Sequence, residues 1–283
     1  MLGAVIRYLT CPYCGDVMGG DDCSLRCGAG HTFDIARQGY VSLLPAGAKG
    51  GGGDTAAMVQ ARAGFLAAGH FASLAADLAQ AAVDVVGSVD ARGCVVDVGA
   101  GTGYYLAAVL DRLPERDGLA LDISRSALRK AARAHRRIGA VGCDAWRKLP
   151  VTDSAAVLAL NVFAPRQGAE LHRVLHPAGR LLLVAPASDH LGELIGPLGL
   201  LTVGQRKEER LTEKLRPYFE IVRRREHRVT MSLDHRAIGS VVAMGPSSRH
   251  AETAVFAARI GRLPDPMPVT LAVTLFVFRP VAA

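Results

Sequence analysis

The sequence of 283 residues lacks a long apolar run. The two longest, residues 155–164 and 271–278, fall well short of the ~18 residues that a membrane helix needs. Residues 1–10 also lack the basic start and long apolar stretch of an export signal. We therefore expect a cytoplasmic protein with no membrane partner.

Glycine and proline are too scarce for a fibrous or low-complexity chain, with 31 and 14 residues. The hydrophobic fraction of 50% excludes a disordered one. A globular chain of this length buries ~70–75% of the surface that its unfolded form exposes, so it can hold a sizeable core. The length favours one or two domains.

Acidic residues are fewer than basic residues, 26 against 33, which gives a net charge of +7 and a sequence pI of 9.3. Such a balance suggests a polyanionic partner. Residues 1–53 are neutral, whereas residues 125–148 hold eight basic residues against the single acid Asp144. The excess positive charge is therefore concentrated in the second stretch.

Four arginines of that stretch recur at every fourth position: Arg125, Arg129, Arg133 and Arg137. On a helix, this spacing places them on one ridge. Like charges so arranged cost helix stability, so a polyanion that neutralises them is one explanation, and a solvated helix face is the other. We predict that the four arginines bind RNA phosphates.

Four of the six cysteines lie within seventeen residues near the start of the chain. Cys11 and Cys14, with two residues between them, have the form of a zinc knuckle, and Cys27 with His31 supplies a second pair. Three thiolates and an imidazole make a closed, structural type of tetrahedral site. Cys23 competes with His31 as the fourth ligand, and a redox pair is the alternative for the Cys-x-x-Cys segment.

The composition changes after the cysteine cluster. Residues 45–53 are rich in glycine and predict a linker. We therefore divide the chain into a small zinc-binding domain over residues 1–53 and a second domain over residues 54–283. The second domain opens with amphipathic patterns that predict helices over residues 56–67 and 71–86.

A β-branched run over residues 94–98 leads into the glycine-rich turn 99–103, and helical spacing follows over residues 104–113. The order strand, turn and helix is typical of nucleoside-binding sites. About twenty residues after the turn, Asp122 ends a second predicted strand, where an acid can bind ribose hydroxyls.

The glycine spacing distinguishes between nucleoside cofactors. A dinucleotide site has Gly-x-Gly-x-x-Gly, whereas this turn has Gly-x-Gly-x-Gly preceded by Asp97. A carboxylate there repels a pyrophosphate but binds an ammonium, so S-adenosylmethionine, which has an ammonium, a ribose and no phosphate, fits better. The predicted cofactor-binding residues are Asp97, Gly99, Gly101, Thr102, Gly103, Asp122 and Asp144.

Strands and helices alternate through the rest of the chain. Strands are predicted over residues 155–163, 180–185, 221–233 and 269–278, with a helix over 168–175. This alternation predicts an α/β fold with a doubly wound, mostly parallel sheet. Ligands of such sheets bind beyond the carboxyl ends of the strands, where the predicted site residues would converge.

Six segments carry a resemblance that covers nearly the whole chain: CPYCG, CGAGHTFDIARQGYVSLLP, GDTAAMVQARAGFLAAGHF, DVGAGTGYY, LALDIS and PASDHLGEL. In these segments the sequence resembles the bacterial 23S ribosomal RNA guanine-N1 methyltransferases, including the branch that gives tylosin-type macrolide resistance. The glycine turn is common to many methyltransferases. Zinc knuckles followed by FDIARQGYVSLLP are peculiar to this family.

The resemblance implies a zinc-bearing RNA-recognition domain and a catalytic domain that uses S-adenosylmethionine. It implies methylation of N1 of a guanine in 23S rRNA, nucleotide 748 in the hairpin near the macrolide site and exit tunnel, with macrolide resistance as the result. It places the zinc ligands at Cys11, Cys14, Cys27 and His31. It also adds Phe71 and His190 to the cofactor pocket, and Phe71 stands where the family has tyrosine.

Guanine N1 carries a proton on the pairing edge, so the base must be unpaired or flipped and the proton removed. Asn161, at the end of the fourth predicted strand, is the candidate catalytic residue that orients the base, and His190 is an alternative base. Two other functions remain open: a small-molecule methyltransferase with a structural knuckle, and an inactive zinc-containing RNA-binding protein. A homodimer is a further expectation.

Overall fold

The computed structural model describes residues 2–45, 53–87, 92–200, 207–245 and 253–282. Most of the predicted linker over residues 45–53 lies outside these ranges. Two short 3-10 turns, Leu2–Ala4 and Ile6–Tyr8, precede a small antiparallel sheet. Its three strands are β1 (Met18–Gly20), β2 (Ser24–Cys27) and β3 (Thr32–Asp34).

A second sheet has eight strands: β4 (Tyr40–Ser42), β5 (Cys94–Val98), β6 (Gly118–Asp122), β7 (Ile138–Gly142), β8 (Ala156–Val162), β9 (Leu175–Pro186), β10 (Phe219–Leu233) and β11 (Met267–Pro280). Their spatial order is β10-β11-β9-β8-β5-β6-β7-β4. The six strands from β9 to β4 are parallel, and β11 and β10 are added antiparallel. The predicted doubly wound, mostly parallel sheet is confirmed.

Helices cover both faces of this sheet: α1 (Ala56–Ala67), α2 (Ala72–Val86), α3 (Tyr104–Arg112), α4 (Arg125–Ala134), α5 (Gly168–Val174), α6 (Gly192–Leu198), α7 (Lys207–Leu215), α8 (His235–Met244) and α9 (Thr253–Ile260). One hydrophobic core lies under α2, α3, α4 and α8, and a second lies under α5 and α7. The central strands are buried on both faces, as their continuous apolar sequences require. In the part of the chain described, every helix is too short or too polar to span a bilayer.

The segment predicted to form the zinc-binding domain is joined to the large sheet. β4 pairs with β7 in parallel, with Tyr40 opposite Ala140, although it precedes the predicted boundary at residue 53. Leu9 forms a bridge with Val151. Val5 is fully buried against Gly139, where a Cβ would lie 2.3 Å from the Val5 Cγ2. The predicted boundary at residue 53 therefore separates two stretches of sequence, but the side chains of both stretches share one hydrophobic core on this face of the sheet.

The predicted arginine ridge has three members on α4, all exposed: Arg125, Arg129 and Arg133. Arg137 lies beyond the end of α4 and is partly buried. Its guanidinium donates hydrogen bonds to main-chain oxygens at and after the end of α3, those of Leu110, Leu113 and Arg116. The inclusion of Arg137 in the RNA-binding ridge is therefore corrected, since its donors serve to hold α3 against β7.

Candidate functional site

A cavity of about 340 Å³ lies at the carboxyl ends of β5, β6, β7 and β8. This volume is within the range of small-molecule sites, ~300–1,000 Å³. Seven of the predicted cofactor residues line it: Phe71, Asp97, Gly99, Gly101, Thr102, Asp122 and Asp144. β5 lies between β6 on one side and β8 on the other, and a crevice at such a branching point is where open α/β sheets bind ligands.

The glycine turn leaves room for close packing at two positions. Gly99 has φ +78°, and a Cβ there would lie 2.4 Å from the Cβ of Ala164. Gly103 has φ +76°, and a Cβ there would lie 3.0 Å from the Cα of Ala131 on α4. Only glycine combines the left-handed backbone with this absence of a side chain. Gly103 therefore supports the turn by packing on α4, and it does not line the cavity.

Asp97 is an unpaired acid inside the cavity. Its side chain is 2% exposed, and its Oδ1 has no hydrogen-bond partner among the described residues. Burial, together with the neighbouring Asp122, raises the pKa of its carboxyl to about 8. Leaving a buried carboxyl unpaired is costly, so the site fits a cationic ligand group that supplies the missing charge and donors.

Asp122 is held by main-chain donors on both sides. Its Oδ2 accepts a hydrogen bond from the Gly101 N–H at 2.8 Å, and its Oδ1 accepts one from the Ser124 N–H at 2.8 Å. Burial raises the pKa of Asp122, although these two hydrogen bonds oppose the shift. The carboxylate oxygens retain lone pairs and line the cavity, so they can accept hydrogen bonds from a ribose.

Two cavity-lining residues, Trp146 and Arg62, belong to no motif in the sequence. Trp146, the only tryptophan of the chain, is 66% exposed, and its main-chain N–H donates to the Asp144 Oδ1 at 2.9 Å. Arg62 of α1 forms an ion pair with Asp54 and donates to the Met244 main-chain oxygen of α8 at 3.0 Å. The hydrogen bond between Arg62 and Met244 joins segments 182 residues apart in the sequence, so no local pattern announces the position of Arg62.

Asn161 does not line the cavity. It is fully buried in β8, and its Nδ2 donates to the main-chain oxygens of Val98, at 3.1 Å, and Pro165, at 2.9 Å. The expectation that its amide contacts the target base does not agree with this placement. Asn161 instead connects the end of β5 to the loop after β8, which makes it a positioning residue.

The ring of His190 packs against two aromatic rings that line the cavity. Its ring centroid is 6.3 Å from that of Phe71 and 5.8 Å from that of Phe163, and both phenylalanines line the cavity. Its Nδ1 accepts a hydrogen bond from the Ala272 N–H at 3.3 Å. The structure thus places His190 behind the aromatic wall, and its assignment to the cofactor pocket stays a prediction.

A compact metal-ligand set lies beside the small sheet, and its members are Cys11, Cys14, Cys27 and His31. Their ligand atoms all lie within 4.8 Å of one another. The His31 Nδ1 lies 3.5 Å from the Cys11 Sγ and 3.4 Å from the Cys27 Sγ. Tetrahedral zinc with normal bond lengths requires ligand-to-ligand edges of roughly 3.4–3.8 Å, so the donors and spacing fit zinc. Cys23 is exposed and outside the set.

Comparison with known proteins adds two matches to family models. A zinc-ribbon model described as RlmA, N-terminal, matches residues 9–51, and one described as Methyltransferase domain matches residues 95–181. A relative from Streptomyces fradiae, named 23S rRNA (guanine(748)-N(1))-methyltransferase, is 50% identical over 277 residues and covers 98% of each chain. The chain belongs to the 23S rRNA (guanine-N1)-methyltransferase family.

A second relative, from Micromonospora griseorubida and provisionally named a 23S rRNA (guanine-N1)-methyltransferase, is 47% identical over 292 residues. The match covers 98% of this chain and 99% of the relative. Among solved structures, that of the MccD protein has a TM-score of 0.49 and 15% identity, over 72% of this chain and 96% of that one. Family membership confirms the resemblance, the methyltransferase class and the two cofactors, S-adenosylmethionine and zinc.

Replacing Asp122 with asparagine should weaken cofactor binding in this family member about tenfold or more. The change removes the charge that strengthens hydrogen bonds to the ribose, which is worth roughly 1.5–3 kcal/mol. Calorimetry with S-adenosylhomocysteine measures the affinity, and Asp22→Asn, at an exposed position outside the cavity, is the matched control. Unchanged affinity in Asp122→Asn, or NAD bound in place of the nucleoside, would contradict the assignment.

Proposed function

We propose that the chain methylates N1 of guanine 748 in 23S rRNA with S-adenosylmethionine, and that the modification confers resistance to tylosin-type macrolides. The observation that carries the proposal is the relative of that name, which is 50% identical over 98% of both chains. The cavity supports it, because Asp97 and Asp122 offer the charge and acceptors that this cofactor needs. A ribosomal RNA substrate would place the reaction in the cytoplasm.

The cofactor supplies a methyl group already activated on a sulfonium. The protein must then hold the acceptor nitrogen in line with it, so positioning dominates catalysis. Asp97 would bind the ammonium, Asp122 the ribose, and the main chain at Gly99 and Gly101 would approach the cofactor closely. The target guanine must leave its paired or stacked place to expose N1.

The zinc region is suited to reading RNA shape or an exposed base. It is neutral in charge, so it offers little general attraction for phosphates. Tyr13, beside the metal ligands, is 51% exposed, with its ring stacked 6.0 Å from that of Phe33. An exposed aromatic ring of this kind can stack on an unpaired base. We therefore assign RNA selection to this region and phosphate binding to α4.

The proposed function is tested by incubating the protein with labelled S-adenosylmethionine and unmodified 23S rRNA, as naked RNA and as assembled particle. Because a methyl group on N1 blocks base pairing, reverse transcription should stop next to nucleotide 748. Expression in a host without its own enzyme should raise the inhibitory concentration of tylosin. Label in a metabolite extract would favour a small-molecule substrate, and RNA binding without label would favour an inactive binder.

The double change Arg129→Gln with Arg133→Gln should weaken RNA binding and flatten its salt dependence. Each lost phosphate contact lowers the log-log salt slope by about 1. The matched control is Arg210→Gln with Arg216→Gln, two exposed arginines in and directly after α7, which packs against the opposite face of the sheet. Wild-type affinity and slope in the α4 variant would show that the ridge is only a solvated face.

A homodimer stays a prediction within this proposal. Light scattering of the purified chain at assay concentration measures its mass directly, and a mass near 29.8 kDa would contradict it.

A further inference from the structure

Phe163 has an unusual backbone for its residue type. It follows the last residue of β8 and has φ 55°, in the left-handed region that favours glycine. A bulky side chain in this region costs conformational energy and persists only where the surroundings hold it. Phe163 is nevertheless 39% exposed and lines the cofactor cavity. A strained, exposed aromatic residue at a cavity calls for a functional explanation.

The loop that carries Phe163 is held from three sides. The Phe163 N–H donates to the Val184 oxygen of β9 at 3.2 Å. The Asn161 side chain holds the Pro165 oxygen, and Ala164 occupies the space that Gly99 leaves by having no side chain. The loop that carries Phe163 is therefore fixed against the glycine turn of the cofactor site through Ala164.

The ring of Phe163 stands between His190 and the cavity. The His190 ring lies 5.8 Å away and nearly parallel, with an interplanar angle of 28°, and the Phe71 ring lies 6.3 Å away. Phe163 and Phe71 line the cavity, whereas His190 does not. The imidazole thus supports an aromatic surface that a planar ligand can cover.

The order of the strands places this aromatic surface on the side of the cavity where the methyl acceptor, rather than the cofactor, would bind. Asp97 on β5, Asp122 on β6 and Asp144 after β7 would bind successive parts of the cofactor, from its ammonium through its ribose toward its base. β8 lies on the other side of β5, next to the ammonium end. In S-adenosylmethionine the sulfonium lies between the ammonium and the ribose, so the methyl group is within reach of this side.

We propose that Phe163 is the residue on which the target guanine stacks while N1 is methylated, an inference that rests on the proposed function. Enzymes that modify a base read the flipped base by stacking on aromatic side chains. Trp146 is also exposed at the cavity, but its link to Asp144 places it on the β7 side, toward the nucleoside base of the cofactor. Phe163 and Trp146 thus serve two different bases.

Three variants of the full chain test the proposal: Phe163→Ala, Phe163→Gly and Phe163→Tyr. Stacking on an aromatic ring changes affinity roughly 5- to 150-fold per base, so we expect kcat/KM for 23S rRNA to fall about tenfold or more in the alanine and glycine variants. The tyrosine variant keeps the ring and should keep most activity. Affinity for S-adenosylhomocysteine, followed by the fluorescence of Trp146, should remain within about twofold of wild type.

The glycine variant separates stacking from stability. Glycine accepts φ 55° without strain, so Phe163→Gly should melt at a higher temperature than Phe163→Ala while both lose activity to a similar extent. With 2-aminopurine at position 748, the fluorescence increase on base flipping should also decrease in both variants.

Wild-type kcat/KM in Phe163→Ala would overturn the proposal, and so would a parallel loss of S-adenosylhomocysteine affinity, which would make Phe163 a cofactor residue. Wild-type protein that methylates no RNA overturns the proposed function as well, and that result is known before any variant is made.

Discussion

Replacing Asp97 with asparagine should reduce cofactor affinity about a hundredfold or more and yet raise the melting temperature of the free protein. Removing one partner of a buried ion pair costs about 3–5 kcal/mol, and in Asp97→Asn the cofactor ammonium would lose the buried carboxylate that faces it in the cavity. Without cofactor, the same carboxyl is an unpartnered group whose burial is costly. Calorimetry with S-adenosylhomocysteine and thermal unfolding measure the two effects.

The size of the stability gain in Asp97→Asn depends on pH. Since burial raises the pKa of Asp97 to about 8 from 3.8, the folded state holds a proton that the unfolded state releases between these values. This carboxyl therefore destabilises the fold progressively from about pH 4 to pH 8. Asp97→Asn should gain about 3 °C or more at pH 8.5 and little at pH 4.

Cofactor binding should also release a proton below pH 8, because the ammonium favours the charged carboxylate. Calorimetry at pH 7 in buffers of different ionisation enthalpy counts that proton, and wild-type affinity should rise as pH approaches 8. Asp97→Asn should release none, whereas Asp144→Asn should release the same proton as wild type, whatever its affinity for the cofactor. Equal proton release by wild type and Asp97→Asn would refute the role of this carboxyl.

Replacing Cys27 with serine should release the zinc ion and destabilise the whole chain. Structural zinc supplies ~10 kcal/mol or more of folding free energy in small domains. Cys27 and Leu25 belong to the same core as Val41 of β4 and Val141 of β7. Loss of the metal should therefore lower the melting temperature of the methyltransferase sheet rather than unfold the ribbon alone. Hydrogen exchange of β4 and β7 measures this spread.

Zinc content distinguishes the fourth ligand. Cys23→Ser is the matched control for Cys27→Ser and should retain one zinc ion per chain, because Cys23 is exposed and outside the ligand set. His31→Ala should lose it. The reverse pattern, with zinc lost in Cys23→Ser and kept in His31→Ala, would contradict the ligand set.

The sequence predicts the features that local spacing determines. The glycine turn, Asp97 and Asp122 follow from residues close together in the chain, combined with the rule that ligands bind beyond the carboxyl ends of parallel strands. The metal-ligand cluster follows from two short spacers. The glycine turn and the metal-ligand cluster are each formed by short stretches of chain, so the local sequence pattern is sufficient to locate them.

Features that depend on distant segments were missed or misread. The four-residue spacing of arginines in the sequence continues past the end of α4, where His135 has an extended backbone. The predicted ridge therefore included Arg137, which does not lie on the helix. The role of Arg137 depends on carbonyl groups of a different helix, which no local pattern shows. The left-handed backbone of Phe163 likewise depends on the packing of Ala164 against Gly99 and on the hydrogen bond from the Phe163 N–H to Val184 of β9.

The attachment of the zinc ribbon to the large sheet has a consequence for recombination between relatives. Leu9 pairs with Val151 before the ribbon, and Tyr40 pairs with Ala140 after it, so both ends of the ribbon are anchored on the same catalytic unit. The ribbon is thus held between two fixed points rather than attached at one end. A chimera that exchanges residues 11–35 should keep the sheet edge intact, whereas a junction at residue 53 would replace an edge strand as well.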